Sequence, residues 1–128
     1  MNKVIKLFGH RQNAEYEHLY LGIECIPESL LVTFEFRTQE KDDLVFSSSW
    51  VTVEGMTYFL EDLQESLKDP DNTQSRFDII GYDWIKHISA RMTCVMTKPK
   101  LSNTLNTLYG YINALEKVRL RRVLEEIS

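Results

Sequence analysis

Apolar and polar residues alternate through much of the first half of the chain. Leu19, Leu21, Ile23 and Cys25 alternate with Tyr20, Gly22 and Glu24, the two-residue period of a half-buried strand. Val32, Phe34 and Phe36 alternate in the same way with Thr33, Glu35 and Arg37. Lys3–Phe8 reads as a short first strand, and Leu44–Val51 as a later one with Leu44, Phe46 and Trp50 on one face. Pro27, Glu28 and Ser29 form a turn, and Gln39–Asp43 forms a charged hairpin tip. Such short polar connections leave no room for parallel crossovers, so this half is predicted to be an antiparallel meander.

The period changes after Thr52. Met56, Phe59, Leu60, Leu63 and Leu67 fall at helical spacing, with Glu54, Glu61, Asp62 and Glu65 mostly off that stripe. Thr52 is the expected N-cap, and Pro70 ends the segment, which predicts a helix over about 53–68. Phe77–Tyr82 and His87–Lys98 then read as strands, followed by a hairpin loop over Lys98–Asn103. Thr104–Leu115 fits two periods. Leu105, Leu108, Ile112 and Leu115 suit a helix, whereas Gly110, the threonines and the tyrosines favour a strand. A strand pairs naturally with the one before it and is the expectation adopted. Leu120, Val123, Leu124 and Ile127 predict a closing helix over about 117–127. The expected class is α+β: one domain over 1–128, with an antiparallel sheet of about six or seven strands and the two helices packed on it.

Composition supports a single packed domain. The 128 residues are 43% hydrophobic, and a chain of this size buries roughly two-thirds of its unfolded surface, enough for a core without staples. Only Cys25 and Cys94 occur, with no metal-type spacing, which points to a reduced, cytoplasmic chain. Lys6 interrupts the apolar start too early for a signal peptide, and no run of about 18 apolar residues could span a bilayer.

The residue types that carry catalysis occur without their usual partners. His10, His18 and His87 are the natural general bases, and His18 lies near Glu15 and Glu17, a loose candidate for a metal or acid–base site. A solvated loop is the commoner cause of that grouping. Ser47, Ser48 and Ser49 lack the glycines of a nucleophile elbow, and both cysteines sit on apolar strand faces. Five scattered glycines exclude a phosphate-cradling loop, so neither an enzyme nor a cofactor is expected. Lys117, Arg119, Arg121 and Arg122 could meet phosphates, but Glu116, Glu125 and Glu126 dilute them, and nucleic-acid binding is not expected.

Charge is distributed unevenly. Up to Asp71 there are 14 acidic and 6 basic residues, a balance of −8; the remainder carries 5 and 9, a balance of +4. Concentrated negative charge speeds association with a cationic partner. Glu40, Asp42 and Asp43 at the hairpin tip, with Glu61, Asp62, Glu65, Asp69 and Asp71 along and after the helix, are therefore the candidate contacts. Tyr16, Tyr20, Tyr58 and Trp50 are candidate aromatic anchors.

The layout resembles that of small bacterial immunity proteins, including the WapI-associated group. The resemblance is carried by the strand pair ending at Phe46–Val51, the helix Met56–Leu67, the segments Arg91–Thr97 and Tyr109–Ala114, and the closing stretch Glu116–Ile127. It implies a non-catalytic cytosolic protein that binds and neutralises a cognate toxin, here a basic toxin domain met by the acidic residues. The alternatives are a type III secretion-type chaperone acting as a homodimer, from which the strand-rich Lys3–Cys25 departs, and a small enzyme using His18. Oligomeric state does not follow from the residues.

Overall fold

A computed structural model of the chain describes residues 2–11, 16–50, 52–68 and 74–127. Six strands follow in order, β1 (Asn2–Arg11), β2 (Glu17–Ile26), β3 (Leu31–Thr38), β4 (Leu44–Trp50), β5 (Gln74–Asp83) and β6 (Ile88–Thr97). A single 3-10 turn, Pro27–Ser29, joins β2 to β3; helix α1 (Val53–Ser66) joins β4 to β5, and helix α2 (Lys98–Ile127) follows β6. Every neighbouring pair is antiparallel, and β6 returns to β1, so the sheet closes into a barrel. The class is α+β, as expected.

The two ends of the barrel differ. Three hairpin connections, after β1, β3 and β5, lie at one end, while the 3-10 turn and both helices lie at the other. Two seams are closed only at the hairpin end. β4 meets β5 through Phe46↔Asp83 and Ser47↔Tyr82 alone, and β1 meets β6 only from Phe8↔Val95 to Arg11↔Met92. Glycine permits the closest approach: a Cβ on Gly81 would press on the Ser47 carbonyl and stand within 2.8–2.9 Å of the Phe46 ring.

Toward the other end the seams part, and the helices fill them. Phe59 of α1 enters between the sheet halves, meeting Trp50 at 4.7 Å, Phe34 at 5.8 Å and Phe77 at 6.2 Å between ring centroids. Along the other seam Lys100 donates to the Lys6 carbonyl at 3.3 Å, and Lys3 donates to the Thr107 hydroxyl at 2.9 Å. The helices thus cover strand edges that would otherwise be open to pairing. Inward residues such as Leu21, Phe34, Phe36, Phe46 and Met92 join Leu60, Leu63, Leu105 and Leu108 in one core.

One segment departs from expectation. The predicted loop at Lys98–Asn103, the predicted strand at Thr104–Leu115 and the predicted helix at about 117–127 are a single helix of 30 residues. Tertiary packing overrides the strand preference, because Leu101, Leu105, Leu108, Ile112 and Leu115 recur every three or four residues and are buried as one stripe. The threonines are accommodated: the Thr104 hydroxyl donates to the Lys100 carbonyl and that of Thr107 to the Asn103 carbonyl, four residues back. Pro99 sits in the first turn, where no amide donor is needed, and Gly110 lies on the exposed side. Helix α1 ends at Ser66, two residues before the expected boundary.

Candidate protein-binding face

Helix α1 is fixed by its apolar side. The Thr52 hydroxyl accepts from the Gly55 amide at 3.1 Å, capping the first turn, and Val53, Met56, Leu60 and Leu63 are buried against the core. The same 3.6-residue period turns Glu54, Tyr58, Glu61, Asp62 and Glu65 outward. Tyr58 keeps 71% of its surface exposed in the middle of these carboxylates. Glu65 pairs with Lys68 at 2.7 Å, and Glu54 with Arg119 of α2 at 3.0 Å. Hydrogen bonds from its own backbone amide and from Arg119 hold the Glu54 carboxyl below its usual range. Among the described residues Glu61 and Asp62 form no ion pair, so their charge stays available.

The other candidate acids lie elsewhere. Glu40, Asp42 and Asp43 are exposed on the β3–β4 tip, which is tightly built. Thr38 donates its amide to the Asp43 carbonyl and accepts from the Asp42 amide, both at 2.9 Å, and Asp42 takes a φ of 57°, a region Asp tolerates. This tip precedes Leu44, whereas α1 follows Trp50. The two acidic groups therefore stand at opposite ends of the barrel, separated by the length of β4, roughly 20 Å. Asp69 and Asp71 lie outside the described residues. Of the aromatic candidates Tyr58 and Tyr16 are exposed, while Trp50 packs edge-on against Phe34 at 4.6 Å.

The residues considered for catalysis have structural partners. His18 lies against Phe8, with centroids 4.6 Å apart, and His10 against Tyr16 at 5.3 Å. Glu15 lies outside the described residues, and Glu17 is bound to Arg11 rather than to His18. Ser47 accepts from the Trp84 indole at 2.9 Å, and Ser48 donates to the Ile80 carbonyl at 2.8 Å. Both cysteines are free thiols in the interior, and burial raises their pKa. Among the described residues no group of His, Cys, Asp or Glu could hold a metal ion. Among the described residues no helix is long and apolar enough to cross a membrane. On α2, Arg119, Arg121 and Arg122 are occupied by Glu54, Glu116 and Glu28.

One charged cluster was not foreseen. Inside the hairpin end, Arg11 lies 2.7 Å from Glu17 and 3.3 Å from Asp83, whose side chain is only 1% exposed. One Asp83 oxygen also accepts from the amides of Ile85 and Lys86 at 2.9 and 3.0 Å. Burial alone would raise the Asp83 carboxyl; the two amides and the guanidinium outweigh it and hold the pKa below the usual range. Both residues lie beyond the expected strands Lys3–Phe8 and Phe77–Tyr82, which run on to Arg11 and Asp83; the signal that finds them is the continued alternation of inward positions. No protein-family model matches the chain, and no curated protein matches it.

Proposed function

We propose that the chain is a non-catalytic immunity protein that neutralises a basic bacterial toxin domain in the cytosol by binding it through the outer face of α1. The observation that carries this reading is Tyr58, exposed one turn before Glu61 and Asp62 on a helix whose opposite side is locked into the barrel. A tyrosine can bury an apolar ring against a partner while its hydroxyl bonds at the rim. The Glu61 and Asp62 carboxylates beside it, which form no ion pair among the described residues, steer a cationic surface and can occupy the place of phosphate on a nuclease-type toxin. The hairpin tip, at the other end of the barrel, is a second contact only for a partner long enough to span both.

Co-expression with toxin domains encoded beside this chain tests the reading. Protection should be lost in Tyr58→Ala/Glu61→Lys/Asp62→Lys, with the fold retained because all three side chains are exposed. Binding should also weaken with added salt. Failure to protect against every neighbouring toxin, or full protection by the triple variant, refutes it.

A further inference from the structure

Strands β1 and β6 pair from Arg11↔Met92 as far as Phe8↔Val95 and then diverge. The divergence opens a cavity of about 230 Å³, with Lys6 on the β1 side and Thr97 and Lys100 on the other. Phe8 and Val95 supply apolar lining, and His18, Gln39 and Gln74 complete the wall. The polar lining is one-sided: each of these lysines, glutamines, His18 and Thr97 can donate a hydrogen bond, and no lining residue is acidic. That is unusual in a chain with 19 acidic residues against 15 Lys and Arg. Neither ammonium is neutralised. Lys100 donates to the Lys6 carbonyl at 3.3 Å, Lys6 stands 5.7 Å from the Tyr20 ring, and neither forms an ion pair among the described residues.

We propose that this cavity binds a small organic phosphate, its oxygens held by Lys6, Lys100 and Thr97 and its apolar body by Phe8 and Val95. Charge placement beside the cavity runs against local stability. Lys98 and Lys100 occupy the first turn of α2, where the helix dipole favours acids, and no acid is there. The Thr97 hydroxyl accepts from the Lys100 amide at 3.4 Å, so a neutral side chain caps this basic turn where an aspartate would serve as well. A bound anion offsets the repulsion, and such broken local rules belong to functional sites. Two ammonium groups suit the near-double charge of a phosphomonoester better than the single charge of a carboxylate. Lys6 reaches the anion by swinging its flexible stem away from Tyr20. The volume exceeds what a phosphate group fills but lies below the roughly 300–1,000 Å³ of larger ligand pockets, so the body is small. The site uses no residue of α1 and is independent of its acidic face.

Titration of the isotope-labelled chain with phenyl phosphate at low ionic strength, followed by NMR, tests this. Signals of Phe8, His18, Thr97 and Lys100 should shift together and saturate with a Kd of about 1 mM, the range open to so small a ligand. Inorganic phosphate should bind the same residues about 10-fold more weakly, having no body to lie on Phe8. Lys6→Gln/Lys100→Gln, both at exposed positions, should weaken phenyl phosphate at least about 10-fold. Thr97→Asp separates binding from folding. Its carboxylate still caps α2 and suits the dipole, so the thermal midpoint should hold or rise while phenyl phosphate binding is lost. No saturable shift up to about 20 mM, a Kd some 20-fold above the expected value, overturns the proposal. So do shifts centred on other residues, binding that survives either variant, or inorganic phosphate binding as tightly as phenyl phosphate.

Discussion

Removing the guanidinium at position 11 should be the most damaging single change at the hairpin end of the barrel. Arg11→Met keeps much of the aliphatic length but leaves Asp83, 1% exposed, and Glu17 facing each other without the cation between them. Breaking a buried pair by deleting one partner costs about 3–5 kcal/mol, because the remaining charge is buried and uncompensated. Here the lower end applies, since the Ile85 and Lys86 amides still bond to Asp83. A chain of 128 residues has a total stability of about 6–19 kcal/mol, so about 3 kcal/mol is a large share of it. With a urea slope of about 1.5 kcal/mol per molar, the midpoint should fall by about 2 M. Arg11→Met/Asp83→Asn should recover at least half of the loss, because the asparagine oxygen can still accept the two amides without a buried charge. Equilibrium urea unfolding of the two single variants and the double variant measures both quantities. A loss below about 1 kcal/mol for Arg11→Met, or strictly additive effects, would show that the cluster does not act as a unit.

The depressed carboxyl of Asp83 also gives stability a pH dependence. Its contribution is complete above the unfolded value near 3.9 and is lost as the pH falls through the lower folded value, so the advantage of the parent over Asp83→Asn should shrink between about pH 5 and pH 2 in thermal melts. Gly81→Ala should cost about 2–3 kcal/mol, as its methyl meets the Ser47 backbone and the Phe46 ring, whereas Gly9→Ala meets mainly the movable tip of Leu19 and should cost less. The reverse order in urea unfolding would contradict the account of the two seams. Gly110→Ala should stabilise the protein by about 0.5–1 kcal/mol, because nothing lies within 4 Å of the added methyl and the residue is on the exposed side of a helix. A loss of stability there would favour the strand assignment over the helical one.

Strands were legible where one face was buried and the other wet. Val32–Arg37 alternates in sequence and is buried at every second residue in the barrel, because a pleated strand has only two sides. Helix α1 was legible for the related reason that its cap, its apolar stripe and the downstream Pro70 agree. Thr104–Leu115 was misread because local preference and periodicity disagree there, and burial along the β1–β6 seam decides in favour of periodicity. Closure of the sheet had no local signal, since it depends on which strand meets β1 across a gap of more than 80 residues.

The candidate acids expose the limit of reading charge along a chain. A balance of −8 over the first 71 residues suggested one negative surface, but sequence proximity is not spatial proximity when a strand intervenes. Between Asp43 and Val53 the chain travels the length of β4, so the acids on either side emerge at opposite ends of the barrel. The later basic half then shortens the inventory, since Arg119 takes Glu54 and the adjacent Arg121 and Arg122 take Glu28. On α1 the acids that form no ion pair among the described residues, Glu61 and Asp62, are those beside the exposed ring of Tyr58. Coulombic steering depends on net local charge rather than on the number of acidic side chains, so a partner drawn by charge alone would meet this part of the helix before its neutralised first turn.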